Sequence, residues 1–587
     1  MNLSRREFLQ VLAAAAAMGA PLSAATKSAS GSFRPLPKDF YQIPNFGNVS
    51  LLHYTDCHAQ LLPIYFREPE VNLGIGSMYG RPPHLVGQEF LEHFNIPPNG
   101  PLAHAFTYLD FAEASKHYGK VGGFAHLSTL VKRLRADRPG ALLLDGGDTW
   151  QGSGTALWTN AQDMVDAQLK LGVDVMTPHW EMTYGDDRVR EIINNDFAGQ
   201  IDFVAQNVVD KLWGDPVFDS HVIKEINGVP VAIIGQAFPY TPIANPQYLI
   251  PDWSFGIRDR KMQDAVNKAR RQGAQVVVVL SHNGMDVDLK MASQVEGIDA
   301  ILGGHTHDAV PEAMKVANPA GETTLVMNSG SNGKFLSVLD LDVRNGRIQD
   351  YRYQLVPVFA DHIEADPEMA KYIEDMRQSE VTYNGETFRM SDRLNEELAV
   401  TDDTLYRRGN FNGTFDQVIC NALMEEMDAE VAFSPGFRWG VSVPPGHAIT
   451  MEHVLTQTAI TYPTVTRNEM TGERIKTVLE DVADNIFNKD PYYQQGGDMV
   501  RVGGVRFAMD PTATIGNRVS DMEINGKPVD PKKNYVVAGW ANVNQRLEGI
   551  PVWEVVASHL RKQKVIRDVE LNEPKLKNVT DNPGYGS

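Results

Sequence analysis

Five separate stretches of this chain end an apolar run with residues able to hold a metal ion. "LLHYTDCHAQ" supplies Asp56 and His58, and "DGGDTWQG" supplies Asp148. "TPHWEMTYG" supplies His179, "LSHNG" supplies His282, and "GGHTHD" supplies His305 and His307. Two aspartates and five histidines placed at strand ends predict a convergent cage of carboxylates and imidazoles. One shared carboxylate in such a cage can bridge two ions about 3.5–4 Å apart, the arrangement two-metal phosphatases and nucleases use. Mixed imidazole and carboxylate donors suit Mn, Fe or Zn better than Ca or Mg. No cysteine stands among them, which argues against a structural zinc site.

For these residues to meet, the strands before them must lie side by side with their carboxyl ends at one edge. From about residue 48 to 340 the chain carries the runs "VSLLHYTD", "GALLLDGGDT", "VDVMTPHWE", "IDFVAQNVV", "VPVAIIGQAF", "AQVVVVLSHNG" and "DAILGGHTHD". Between them, "GGFAHLSTLVKRLRAD" and "RKMQDAVNKARRQGA" space apolar residues three and four apart, as amphipathic helices do. Apolar strands alternating with helices predict an α/β domain with buried sheets, whose carboxyl edge is where ligands sit. Residues 62–118 form a long insertion rich in Pro, His and aromatics, a candidate lid or partner loop. A charged helical stretch from about residue 366 reads as a connector, and "GTFDQVICNALMEEMDAEVAFSPGFRWG" opens a second α/β domain. The expected division is a leader at 1–25, the metal domain at 26–362, a linker helix at 363–389, the second domain at 390–570 and a flexible tail at 571–587.

The leader carries adjacent Arg5 and Arg6, a short alanine-rich apolar core and the small residues "SAA" at 23–25. That layout is expected of a twin-arginine export signal and places the mature chain in the periplasm. A formal net charge of −20 argues against nucleic acid as a partner. Two cysteines make no disulfide framework. Cys57 and Cys420 are expected to be reduced and buried, with strand alternation pointing Cys57 away from Asp56 and His58.

The order D-x-H, GGD, a histidine turn, SH and GGH-x-H resembles the calcineurin-like metallophosphoesterases, and the second domain resembles their periplasmic 5′-nucleotidase branch. The resemblance spans roughly residues 45–570. It implies a four-layer αββα metal domain followed by a substrate-binding domain. It also implies that Asp56, His58, Asp148 and His307 hold one metal, while Asp148, as the bridge, holds the other with His179, His282 and His305. In "FSPGFRWG", Arg438 falls where that branch places an anion-binding arginine.

The departures are specific. Where nucleotidases carry G-N-H-E, this chain reads Pro178-His179-Trp180-Glu181, so the catalytic histidine has become Trp180. A phosphate ester needs help to expel its alkoxide, whereas a thiolate or persulfide leaves without a proton. No aromatic pair to sandwich a nucleobase is evident in the second domain. With "HYTDCHAQLLPIYFREP", "PHWEMTYG", "RRGNFNGTFDQ" and "SPGFRWG", the chain resembles the SoxB family of sulfate thiol hydrolases.

That resemblance implies a dimanganese enzyme, although the ligands alone would accept Zn or Fe. Its substrate would be a cysteine S-thiosulfonate on the arm of a SoxYZ-type carrier. The resemblance implies that bound metals would activate a water, that the sulfone sulfur would be attacked, and that sulfate would leave while the carrier kept a persulfide. Asp148, Arg438 and Trp180 are the expected catalytic residues. Glu181 is expected to orient a metal-bound histidine, and Asn207 to lie near the site. The gap between the domains is the expected channel, lined by residues 407–413 and the 62–118 insertion. The competing readings are a periplasmic 5′-nucleotidase or cyclic phosphodiesterase and a non-catalytic metal-binding partner of the carrier.

Overall fold

The structure, a computed structural model, describes residues 32–586, so the expected leader at 1–25 lies outside the described residues. The first half of the chain builds two six-stranded sheets. The strands are β1 (Val49–Tyr54), β2 (Leu142–Asp145), β3 (Val175–Met176), β4 (Asp202–Phe203), β5 (His221–Ile226) and β6 (Val229–Gln236). They continue as β7 (Val276–Ser281), β8 (Ala300–Gly303), β9 (Met314–Ala317), β10 (Thr323–Asn328), β11 (Phe335–Arg344) and β12 (Arg347–Pro357). One sheet runs β12-β11-β1-β2-β3-β4 and the other β9-β10-β8-β7-β6-β5.

Side-chain alternation explains the four layers. In β1, Val49 and Leu51 join Val276, Val278 and Leu280 of β7 in a core between the sheets. Leu52 and Tyr54 point the other way, onto a layer that includes the helices Phe124–Asp137 and Gln162–Leu171. Val277 and Val279 point outward onto the helices Asp259–Arg271 and Met285–Ala292. Because both faces of these strands are buried, the runs read as nearly continuous Val, Ile and Leu. β1 to β4 are mutually parallel, as are β6, β7, β8 and β10, so all five ligand-bearing loops leave from carboxyl ends.

The 62–118 insertion is folded rather than loose. Its helices Gly87–His93, Pro101–Phe106 and Phe111–Tyr118 gather Phe66, Leu85, Phe90, Phe106 and Tyr118 around Phe335 and Phe359. The connector holds the helix Pro367–Gln378, capped by Asp366, and then a hairpin pairing Glu380–Tyr383 with Glu386–Arg389. Met369 and Ile373 of that helix pack into the first domain, while Arg377 grips Glu452 of the second through two hydrogen bonds of 2.6 and 3.0 Å. The second domain surrounds the helices Thr414–Glu426, Met451–Thr458, Gly472–Phe487 and Val552–Gln563 with short strands.

The expected flexible tail is a correction: the segment is ordered. Lys575–Leu576 adds a parallel strand to Val505–Met509. Beyond it, Gly584 O accepts from Asn72 N at 2.7 Å, Pro583 O accepts from Val86 N at 3.0 Å, and Gly586 N donates to Glu70 O at 2.7 Å. Backbone pairing of this kind is invisible in composition, which is polar and Pro/Gly-rich. Among the described residues no helix is long and apolar enough to cross a membrane. Buried Asn582 donates to Gly74 O and accepts from Gly584 N, both at 2.9 Å. Asn582→Ala should therefore cost about 2 kcal/mol, since it strands two buried groups. The denaturation midpoint checks this, and an unchanged midpoint would make the tail an ornament.

Candidate metal centre

β1 ends at Tyr54, and the chain then turns sharply. Asp56 and His58 sit at φ 53° and 48°, Asp148 at 58°, and His305 and His307 at 73° and 58°. Left-handed backbone at non-glycine residues is costly, and its concentration here marks a site whose geometry the surroundings enforce. This also corrects the expectation for Cys57. It is buried in the helix-side core because the turn places it there, not because a strand alternates. Burial pushes the Cys57 thiol well above its ordinary pKa, and the same effect raises Cys420, which disfavours the thiolate at both. Two glycines permit the close approach. Gly147, at φ 91°, would place a Cβ 2.5 Å from Thr177 O, and a Cβ on Gly304 would collide with Thr55 Oγ1.

Asp148 is the hub. Its Oδ2 lies 3.0 Å from His179 Nδ1, 3.0 Å from His282 Nε2 and 3.7 Å from His58 Nε2, while Oδ1 accepts from Trp180 N at 2.8 Å. Asp56 Oδ1 lies 3.2 Å from His307 Nε2 and 3.6 Å from His282 Nε2. Asp56 Oδ2 accepts from Thr55 Oγ1 at 2.6 Å, and the carboxylate also accepts from His305 N. Two sets of donors result: Asp148, His179, His282 and His305, and Asp56, His58, Asp148 and His307. Within each set the donor atoms lie within 4.8 Å of one another, every residue is buried, and Asp148 belongs to both.

The donor chemistry fits a pair of cations. His58 Nδ1 faces Gln151 O at 3.1 Å and His282 Nδ1 faces Gly146 O at 2.5 Å, so each donates there and presents its Nε2 lone pair to the centre. His58 Nε2 then confronts His307 Nε2 at 3.0 Å. His179 Nε2, His305 Nε2 and His307 Nδ1 are buried without a hydrogen-bond partner. Lone pairs and carboxylates aimed at one another repel unless positive charge lies between them. Without metal, a proton does part of that work. Burial alone would lower the pKa of His282, but the Asp148 and Asp56 carboxylates hold it up at about 10. Burial holds His58 down at about 4 and pushes His305 and His307 well below the usual range.

Three expectations change in detail. Glu181 orients backbone, not an imidazole: its carboxylate accepts from His179 N and Thr149 N at 2.7 Å and from Asp148 N and Trp150 N at 3.3 Å. Asn207 is committed elsewhere, bracing Ala237 and Gly256. Trp180 packs against the second domain, at 5.1 Å from Phe437 and 4.9 Å from Trp439 between ring centroids. Phe437 and Trp439 stack on each other at 4.1 Å, leaving no slot between them for a base.

Arg438 lies beside the donor sets, donating to His305 O at 3.2 Å and Gly497 O at 2.6 Å. Arg408, in the segment expected to line the channel, donates to His307 O at 3.3 Å and keeps its buried Nε unpartnered. Both guanidinium groups line one cleft with His305, His84, Asp286 and Gly496. His84 and Asp286 carried no signal in the sequence, because their meeting depends on how the insertion folds. The shared carboxylate makes a clear prediction. Asp148→Ala should lose both ions and His58→Ala only one, as counted by elemental analysis, and an Asp148→Ala chain that keeps two would sink the bridge.

A family model described as 5′-nucleotidase, C-terminal domain, matches residues 397–553. An apyrase of Tabanus yao is 25% identical over 472 residues, covering 71% of this chain and 78% of that protein. The structure of a 5′-nucleotidase precursor from Thermus thermophilus superposes with a TM-score of 0.70 at 20% identity, covering 90% of this chain and 99% of that one. It shares the fold. The sulfate thiohydrolase SoxB of the same organism, solved with glycerol, superposes with a TM-score of 0.84 at 35% identity, covering 91% of this chain and 97% of that one. With this four-layer metal domain and nucleotidase-type second domain, the chain is a hydrolase and belongs to the SoxB family.

Proposed function

We propose that the chain is a periplasmic dimanganese thiosulfohydrolase, exported by the twin-arginine route. It would release sulfate from a cysteine S-thiosulfonate on a SoxYZ-type carrier. The observation that carries this reading is the closed aromatic wall at Trp180. An indole cannot hand a proton to a departing alkoxide, and the Phe437–Trp439 stack offers no place for a nucleobase. The similarity to the Thermus thermophilus sulfate thiohydrolase supports the same conclusion.

Two bound divalent ions would lower the pKa of a water and offset charge on the sulfone oxygens. The chain's own residues do the rest. Asp148 and Asp56 set the spacing of the donor sets, and Glu181 fixes the turns that bear Asp148 and His179. Arg438 and Arg408, anchored on the carbonyls of His305 and His307, present guanidinium N–H groups to the anionic sulfone. Trp180, Phe437 and Trp439 keep bulk water from that side. A water oxygen bonds to the sulfone sulfur, the S–S bond breaks, and its electron pair leaves with the carrier sulfur as a persulfide. Two protons pass to solvent, and no general acid is needed.

The test is sulfate release from thiosulfonate-loaded carrier by the metal-loaded mature chain, with AMP hydrolysis run in parallel. Sulfate without phosphate is expected. Phosphate alone would return the chain to the nucleotidase reading that its more distant relatives suggest. Arg438→Ala should lower turnover about 10- to 100-fold, the worth of a hydrogen bond to a charged group, while both ions stay bound. Unchanged turnover would remove Arg438 from the site.

A further inference from the structure

The insertion brings a histidine into the cleft that the metal sets do not use. His84 Nε2 lies 3.1 and 3.0 Å from the two carboxylate oxygens of Asp286, and its Nδ1 lies 3.2 Å from Asn72 Oδ1. Asn72 Nδ2 donates to Pro83 O at 3.1 Å and to Asp308 Oδ1 at 3.2 Å. That pair of acceptors fixes the amide, because a flip would set oxygen against oxygen. Asn72 Oδ1 is therefore an acceptor, and His84 Nδ1 must carry a hydrogen. Asp286 presents only acceptors, so Nε2 carries one too. Both ring nitrogens thus face oxygen atoms, the arrangement that an imidazolium satisfies.

The chain of contacts Asp286–His84–Asn72–Asp308 joins two of the ligand-bearing loops. Asp286 opens the helix Met285–Ala292 directly after the His282 turn, and Asp308 follows His307. Both central residues belong to the insertion, and the C-terminal segment straps them down through Gly584 O on Asn72 N and Pro583 O on Val86 N. Gly74 packs so closely that a Cβ there would lie 2.6 Å from His84 Cβ. His84 and Asp286 are nearly enclosed, with side-chain exposures of 14% and 9%.

We infer that His84 is a positioning residue: as an imidazolium it clamps the His282 loop to the His305–His307 loop and holds the two donor sets at the spacing a metal pair requires. This rests on those loops holding metal, and it is independent of which substrate is cleaved. The charged and titratable groups that share the cleft with His84 are Asp286 on the helix, His305 and Asp308 on the His305–His307 loop, and Arg408, Arg438 and Asp498 from the second domain. Burial works against the ring's charge, but Asp286 and Asp308 outweigh it and raise the pKa. A raised pKa means that the clamp is present below that value and released as pH climbs through it.

The test uses the full mature chain. Imidazole nitrogen NMR of the metal-free protein, with His84 assigned by loss of its signal in His84→Gln, should show both ring nitrogens protonated at pH 7. Asp286→Asn should move that titration to lower pH. In chelator competition with manganese, wild type should retain metal about tenfold better than His84→Gln below the His84 pKa, as expected for a residue that orients ligands from outside. That advantage should vanish above the pKa, and His84→Lys, which keeps a cation, should recover it. A neutral His84 at pH 7, or a His84→Gln chain that holds metal like wild type at every pH, would overturn the inference. Neither readout involves substrate, so failure here and failure of the thiosulfohydrolase reading are separable.

Discussion

A buried carboxylate is tolerable only where hydrogen bonds or positive charge answer it, and Asp148 is almost wholly removed from water. Its Oδ2 is approached by three imidazoles, two of which already spend their other nitrogen on a backbone carbonyl. Those rings cannot all bring protons, since burial disfavours their charged forms. The donor sets thus suit cations from outside the polypeptide, and much of the surrounding structure holds those donors in place. Opposed parallel strands set the approach, left-handed turns aim the side chains, and Glu181 gathers the backbone N–H groups that would otherwise be free to shift.

The second domain and the two appended segments complete the enclosure. Trp180 rises from the metal domain into an aromatic group made of Phe437 and Trp439, so this wall also fastens the domains together. Arg408 and Arg438 reach back to the carbonyls of His307 and His305, placing fixed positive charge beside the cleft. The insertion adds contacts to the His282 and His305–His307 loops, and the C-terminal strap holds the insertion down. The candidate site lies where these parts meet, because no single domain contains the metal-donor residues, the arginines and the wall.

What could be read from the sequence was what strand and turn chemistry write locally. The runs ending in Asp56, Asp148, His282 and His305 announced buried strands. The structure brings together Asp148, His179, His282 and His305, and Asp56, His58, Asp148 and His307, as two sets that could each hold a metal. Long-range pairings were not legible. Asn582 meets Gly74 across 508 positions, and no local pattern predicts such a contact. Glu181 was read as a partner of an imidazole because its residue type permits that, whereas nearby backbone N–H groups claim both its oxygens. His84 was only one histidine in a loop until folding set Asp286 and Asn72 on either side of it.

The central claim is that one carboxylate serves two ions. The most direct measurement is electron paramagnetic resonance of the metal-free chain reloaded with manganese. The account predicts an exchange-coupled pair at a separation of about 3.5–4 Å, the distance a shared carboxylate spans. Two uncoupled signals, or a single ion per chain at saturation, would contradict it.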